Sequence, residues 1–178
     1  SGAGSEGSWA ISLQDNGTTD DYGYLRFAIS SSNSSTGVDP VQYITSSLNA
    51  FYNDDFWSVM LTRKSASDGS AFTEDSIFAS SSFELTVKQY DSTRQRIVYQ
   101  SSESLETGMS SSLAAFTSSG DLYLGGSGTG NHGSQFSGSM MEFRLWSEPL
   151  SQSVFNNHVR APKAYNGNTT SSAYDNLL

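Results

Sequence analysis

Phe83-Glu84-Leu85-Thr86-Val87-Lys88 decides the fold class. Apolar and polar residues alternate in this stretch. In a β-strand that period sends them to opposite faces; in a helix it would scatter them around the axis. The same alternation runs through Trp57-Ser58-Val59-Met60-Leu61-Thr62, and through Tyr22 to Ile29, where Leu25, Phe27 and Ile29 share a face. Trp9-Ala10-Ile11-Ser12-Leu13, Ile97-Val98-Tyr99, Leu122-Tyr123-Leu124 and Met140 to Trp146 supply further strands. Such strands bury one face and leave the other in water, the arrangement of antiparallel sheets in a sandwich.

Turn-forming residues separate the strands. Asp15-Asn16-Gly17, Ser67-Asp68-Gly69 and the glycine-rich run from Gly125 to Gly130 break the chain, and Asp91-Ser92-Thr93 joins two strands as a hairpin. The polar stretches Ser30 to Gly37 and Lys64 to Ser76 read as loops at the rim of the sandwich. One helix is expected after Pro149-Leu150. Ser151 is its N-cap, Val154, Phe155 and His158 follow on one side, and Pro162 ends it. Leu150 and Phe155 have the spacing of a hydrophobic staple. The fold class expected is therefore all-β, a two-sheet antiparallel sandwich with one short helix near the C-terminus. Residues 1–8 read as linker, 9–160 as the sandwich and 161–178 as a polar tail, within a larger protein.

Composition narrows the function. Only 15% of residues are charged while 12% are aromatic, so a packed core is available beneath a surface of hydroxyls and amides. The net charge of −9 repels phosphate backbones and anionic bilayers, which argues against nucleic-acid and membrane partners. There is no Cys, which excludes disulfides and thiolate metal sites.

The stretch Phe136-Ser137-Gly138-Ser139-Met140-Met141-Glu142-Phe143-Arg144-Leu145-Trp146-Ser147-Glu148-Pro149-Leu150-Ser151 resembles the laminin-G-like, or concanavalin-A-like, superfamily. An aromatic and a Gly precede an apolar–Glu–apolar–Arg–apolar–aromatic strand, and Leu-Ser then leads into a small helix. Met141 stands where the family often has Asp. Asp121 to Gly126, Phe56 to Thr62 and Phe83 to Tyr90 are similar to other strands of that family. The connection between the last two is longer than usual, and the family's opening Trp-Val strand has no close counterpart unless Trp9-Ala10-Ile11 fills that role. The resemblance implies a jelly-roll sandwich with Phe143 and Leu145 facing the core and Glu142 pairing Arg144. Arg160 to Thr169 is similar to segments that follow such domains in structural proteins of large tailed phages, marine ones especially. That implies a virion or cell-surface location.

Four kinds of chemistry bear on these residues. A retaining glycosidase needs two carboxylates about 5 Å apart, and Glu142 has no acidic residue two or four positions away. Serine-nucleophile catalysis lacks a Gly-x-Ser-x-Gly elbow, and the two His are scattered, His132 in the glycine-rich loop and His158 on the helix beside Phe155. No catalytic residue and no metal ligand is assigned. The family resemblance would allow one calcium held by Asp side chains and carbonyls at Asp20-Asp21 or at Asn53-Asp54-Asp55. Glycan binding needs an aromatic face with amides or carboxylates beside it. Tyr52, Asn53, Asp54 and Asp55 supply both, and Asn131 and His132 could join them. The function expected is a non-catalytic module whose partner is a glycan or a neighbouring structural subunit. The alternatives are a purely structural packing domain and a glycoside hydrolase of the same fold.

Overall fold

Six strands and a helix form among the residues that a computed structural model describes, which are 8–17, 21–30, 41–65, 81–107, 124–125 and 136–169. The strands are β1 (Ser8–Asp15), β2 (Gly23–Ser30), β3 (Val41–Thr45), β4 (Trp57–Ser65), β5 (Ser81–Asp91) and β6 (Arg96–Thr107), and the helix is α1 (Gln152–Arg160). They make two antiparallel three-stranded sheets, β1-β2-β3 and β4-β5-β6. The described residues thus form two antiparallel sheets and one short helix, Gln152–Arg160.

Alternation places the core. Leu25 and Phe27 of β2 and Ile44 of β3 meet Phe83, Leu85 and Val87 of β5, all buried, in one cluster between the sheets. The Phe27 and Phe83 rings lie 5.3 Å apart across that interface. Leu13, Phe51, Trp57 and Leu61 close its margins. Each fully buried side chain of this kind stabilises the fold by roughly 1.5–3 kcal/mol. Val59 was expected beside Trp57 and Leu61, yet it stays exposed on β4, an edge strand of its sheet.

Local signals fix the connections. The Asp91 carboxylate accepts from the backbone N–H of Thr93 at 2.8 Å and of Arg94 at 2.9 Å, which folds the β5–β6 hairpin. Ser151 caps α1 by accepting from the Val154 N–H at 3.3 Å. The helix ends at Arg160, because Ala161 precedes Pro162 and is driven to an extended φ of −134°.

Three features depart from the sequence reading. Val41 to Thr45 is a strand, although its outward Tyr43 gives it little apolar pattern; the Arg26 guanidinium lies 4.7 Å over that ring. Met140 to Trp146 is not a regular strand, and Phe143 and Leu145 are 47% and 43% exposed instead of facing the core. Glu142 sits at φ 59°, in the left-handed region, and this interrupts the period-two path. The expected pairing survives nonetheless: Arg144 donates to Glu142 at 2.9 Å, and also to the Pro162 carbonyl. Finally, the outer face of β5 is not solvated. Thr86 and Lys88 are completely buried on the side away from the core, where α1 packs.

The residues after α1 fold back on it. Asn168 accepts from the Ser151 N–H at 2.7 Å and donates to the Pro149 carbonyl at 3.0 Å, and His158 Nε2 lies 2.8 Å from the Asn166 carbonyl oxygen. His158 stacks on Trp146, at 5.8 Å and 27°. Leu122 and Tyr123, and nearly all of the loops expected at 30–37 and 64–76, lie outside the described residues.

Candidate binding rim

Strand register brings three connections to one end of the sandwich. Gly23 opens β2 and bridges to Asn49 through paired backbone hydrogen bonds of 2.9 and 2.8 Å. Trp57 opens β4 and stands opposite Gln89, just before the β5–β6 hairpin. The β1–β2 turn, the segment from Ser46 to Phe56 and that hairpin therefore share an end. Tyr52 joins the first two through its N–H to the Asp21 carbonyl, at 3.4 Å, and Asp55 joins the last two by accepting from Gln89 Nε2 at 3.1 Å.

Aromatic rings line this end. Phe51 and Trp57 lie 4.8 Å apart, and Trp57 meets Tyr99 edge-on at 5.4 Å. Trp57, Gln89 and Tyr99 are register neighbours across β4, β5 and β6, so one row of the sheet carries both rings with an amide between. Tyr52 and Phe56 stand exposed beside them, Tyr52 at 42%. Tyr52 can lie here because residue 23 is Gly: a Cβ at that position would meet the ring at 3.1 Å and the Gln14 carbonyl oxygen at 2.7 Å. Partial burial, helped by the Asp15 carboxylate, pushes the Tyr52 hydroxyl above its ordinary pKa, so it remains a neutral donor.

The polar residues divide into two groups. Asn53 Oδ1 accepts from the Asp55 N–H at 3.1 Å and from the Trp57 indole N–H at 3.4 Å, and one Asp55 oxygen is engaged by Gln89. These bonds hold the loop in place, and Asn53 and Asp55 remain exposed. Asp54 at φ 59° is exposed and carries no side-chain bond among the described residues. Asn49, beneath the loop, is 2% exposed, and its carboxamide oxygen has no protein partner. Sequence reading found Tyr52 to Asp55 but missed Phe51, Gln89 and Tyr99, which only the strand register assembles. Asn131 and His132 lie outside the described residues.

Two further chemistries were tested on the geometry. Among the described residues no three His, Asp or Glu side chains gather as metal ligands. Glu142 is engaged by Arg144, and Glu148 accepts from the Asn168 N–H at 3.4 Å, so both carboxylates of the resemblance-carrying stretch serve its local structure.

A second polar cluster lies under α1. Lys88 donates to Gln152 Oε1 at 2.8 Å and to Asn156 Oδ1 at 2.6 Å, with its ammonium 5.1 Å above the Phe155 ring. Gln152 in turn donates to Glu84 at 3.2 Å and to Thr86 at 3.1 Å, and Thr86 pairs with Ser102 at 2.7 Å. Burial pulls the Lys88 ammonium below its usual pKa, with the Glu84 charge opposing. Lys88 and Thr86 at its centre are fully buried, so the cluster acts as a clamp between β5 and α1.

Comparison with family models, curated proteins and solved structures returned no match. No described helix is long and apolar enough to cross a membrane.

Proposed function

We propose that the chain is a non-catalytic recognition module of a larger virion or cell-surface protein, built on a jelly-roll sandwich of the laminin-G-like kind, and that it binds glycans through the rim around Tyr52. The observation that carries this reading is an exposed tyrosine on a loop immobilised from beneath. Asn53, Asp55, Trp57 and Gln89 fix the loop by hydrogen bonds, so little ordering is left to pay on binding. Tyr52 and Phe56 then offer flat apolar faces to sugar rings, while the Tyr52 hydroxyl and Asp54 offer a donor and an acceptor. Displaying the isolated chain to a glycan array, with and without calcium, tests the reading. Binding that weakens about tenfold or more in Tyr52→Ala supports it. An array on which nothing binds under either condition removes it.

One observation favours the runner-up, a domain that only packs against neighbouring subunits. Phe136, Met140, Met141, Phe143 and Leu145 are all exposed along one segment. Assembly through a contact of more than about 1,000 Å² centred on that segment would select it. Sedimentation of the wild type beside Phe143→Ser measures this.

A further inference from the structure

The charges around the rim name the ligand class, on the proposal that the rim binds glycans at all. Asp15 lies close enough to Tyr52 to perturb its hydroxyl, the Asp21 backbone carbonyl accepts from the Tyr52 N–H, and Asp54 and Asp55 follow Tyr52 in the same loop. The guanidinium groups at this end belong to the hairpin. Arg94 is held by Asp91 at 3.0 Å, which leaves Arg96 against the surrounding carboxylates. The residues around Tyr52 therefore carry a net negative charge. It is also fixed, because Asp15 is tied to the Gly17 N–H at 2.9 Å and Asp55 to Gln89.

We infer that the rim selects uncharged glycans and excludes uronate, sialylated and sulfated ones. Stacking on an aromatic face does not distinguish a neutral sugar from its acidic counterpart. The discrimination comes from like-charge repulsion, which suppresses wrong partners and is screened by salt.

The test uses matched probes. Polygalacturonate and its fully methyl-esterified form share a backbone and differ in charge; glucan, mannan and galactan are added as neutral chains. Binding is measured at about 10 mM and about 150 mM salt, where the Debye length falls from about 30 Å to about 8 Å. Expected is binding to one or more neutral chains, with the esterified polymer exceeding the acidic one by about tenfold at low salt and by less at high salt. In Asp15→Asn/Asp21→Asn, the ratio of esterified to acidic binding should narrow by a few fold. Binding of polygalacturonate as tight as or tighter than its ester overturns the selection while leaving glycan recognition standing. An unchanged gap in the double variant overturns the electrostatic cause. Failure of every probe overturns the glycan reading itself, and this inference with it.

Discussion

Both faces of β5 carry buried residues, and the two are opposite in chemistry. Phe83, Leu85 and Val87 press against the other sheet, while Thr86 and Lys88 on the reverse face lie wholly beneath α1, with Glu84 alongside them. Apolar burial is non-directional and needs only approximate shape. Polar burial is tolerable only if each group finds a partner. On the reverse face those partners, Gln152 and Asn156, come from residues 64 and 68 positions further along the chain. One face thus drives collapse, and the other specifies where the helix docks.

That contrast can be broken from either side. The largest loss belongs to the apolar face: Phe27→Ala, which empties the centre of the interface, should cost about 3–5 kcal/mol in denaturant unfolding. Next comes the polar face, where the order of two variants matters more than their size. Asn156→Ala leaves a buried ammonium short of a partner and should cost about 1–3 kcal/mol, whereas Lys88→Met removes the charge and fills the same space, and should cost less. The reverse order would mean that the Lys88 charge itself stabilises the fold.

The smallest effect is the pH dependence of the clamp. Because the folded-state pKa of Lys88 is depressed, the unfolded chain binds more protons between that value and the ordinary 10.5. Stability contributed by this group must then rise with pH across that window, and below the window its full desolvation cost remains. Tyr52, whose pKa is raised, acts in the opposite sense at alkaline pH. The difference between the unfolding curves of wild type and Lys88→Met isolates the lysine. A difference that does not change with pH would contradict the assigned burial.

The same contrast explains what was legible in the sequence. Alternation in β2, β4 and β5 marks an apolar face, so Leu25, Phe27, Phe83, Leu85 and Val87 could be named in advance, whereas Ile44, on the unexpected β3, and the exposed Val59 could not be placed that way. Ser151 and Asp91 were readable because capping and hairpin turns are local chemistry. The reverse face of β5 was not readable: Glu84, Thr86 and Lys88 look like solvated residues until the helix that covers them is placed. The polar half of β6, from Gln100 onward, likewise carries no apolar pattern, yet it pairs with β5 as far as Thr107. At the rim, Tyr52 to Asp55 stood out as an aromatic–acidic run. Gln89 and Tyr99 join it only through register with Trp57, a relation between strands that no single stretch contains. At Glu142 a single left-handed residue interrupts an alternating pattern, so the strand expected from Met140 to Trp146 is not regular.

The central claim is that the rim around Tyr52 is the recognition surface, and backbone and indole NMR shifts recorded during a titration with neutral glucan, mannan and galactan test it most directly. The account predicts movement of the Trp57 indole N–H, which is bonded to Asn53, together with the amides of Gly23, Tyr52 to Asp55 and Gln89. Shifts confined to Phe136–Leu145, or a spectrum that no glycan changes, would contradict it.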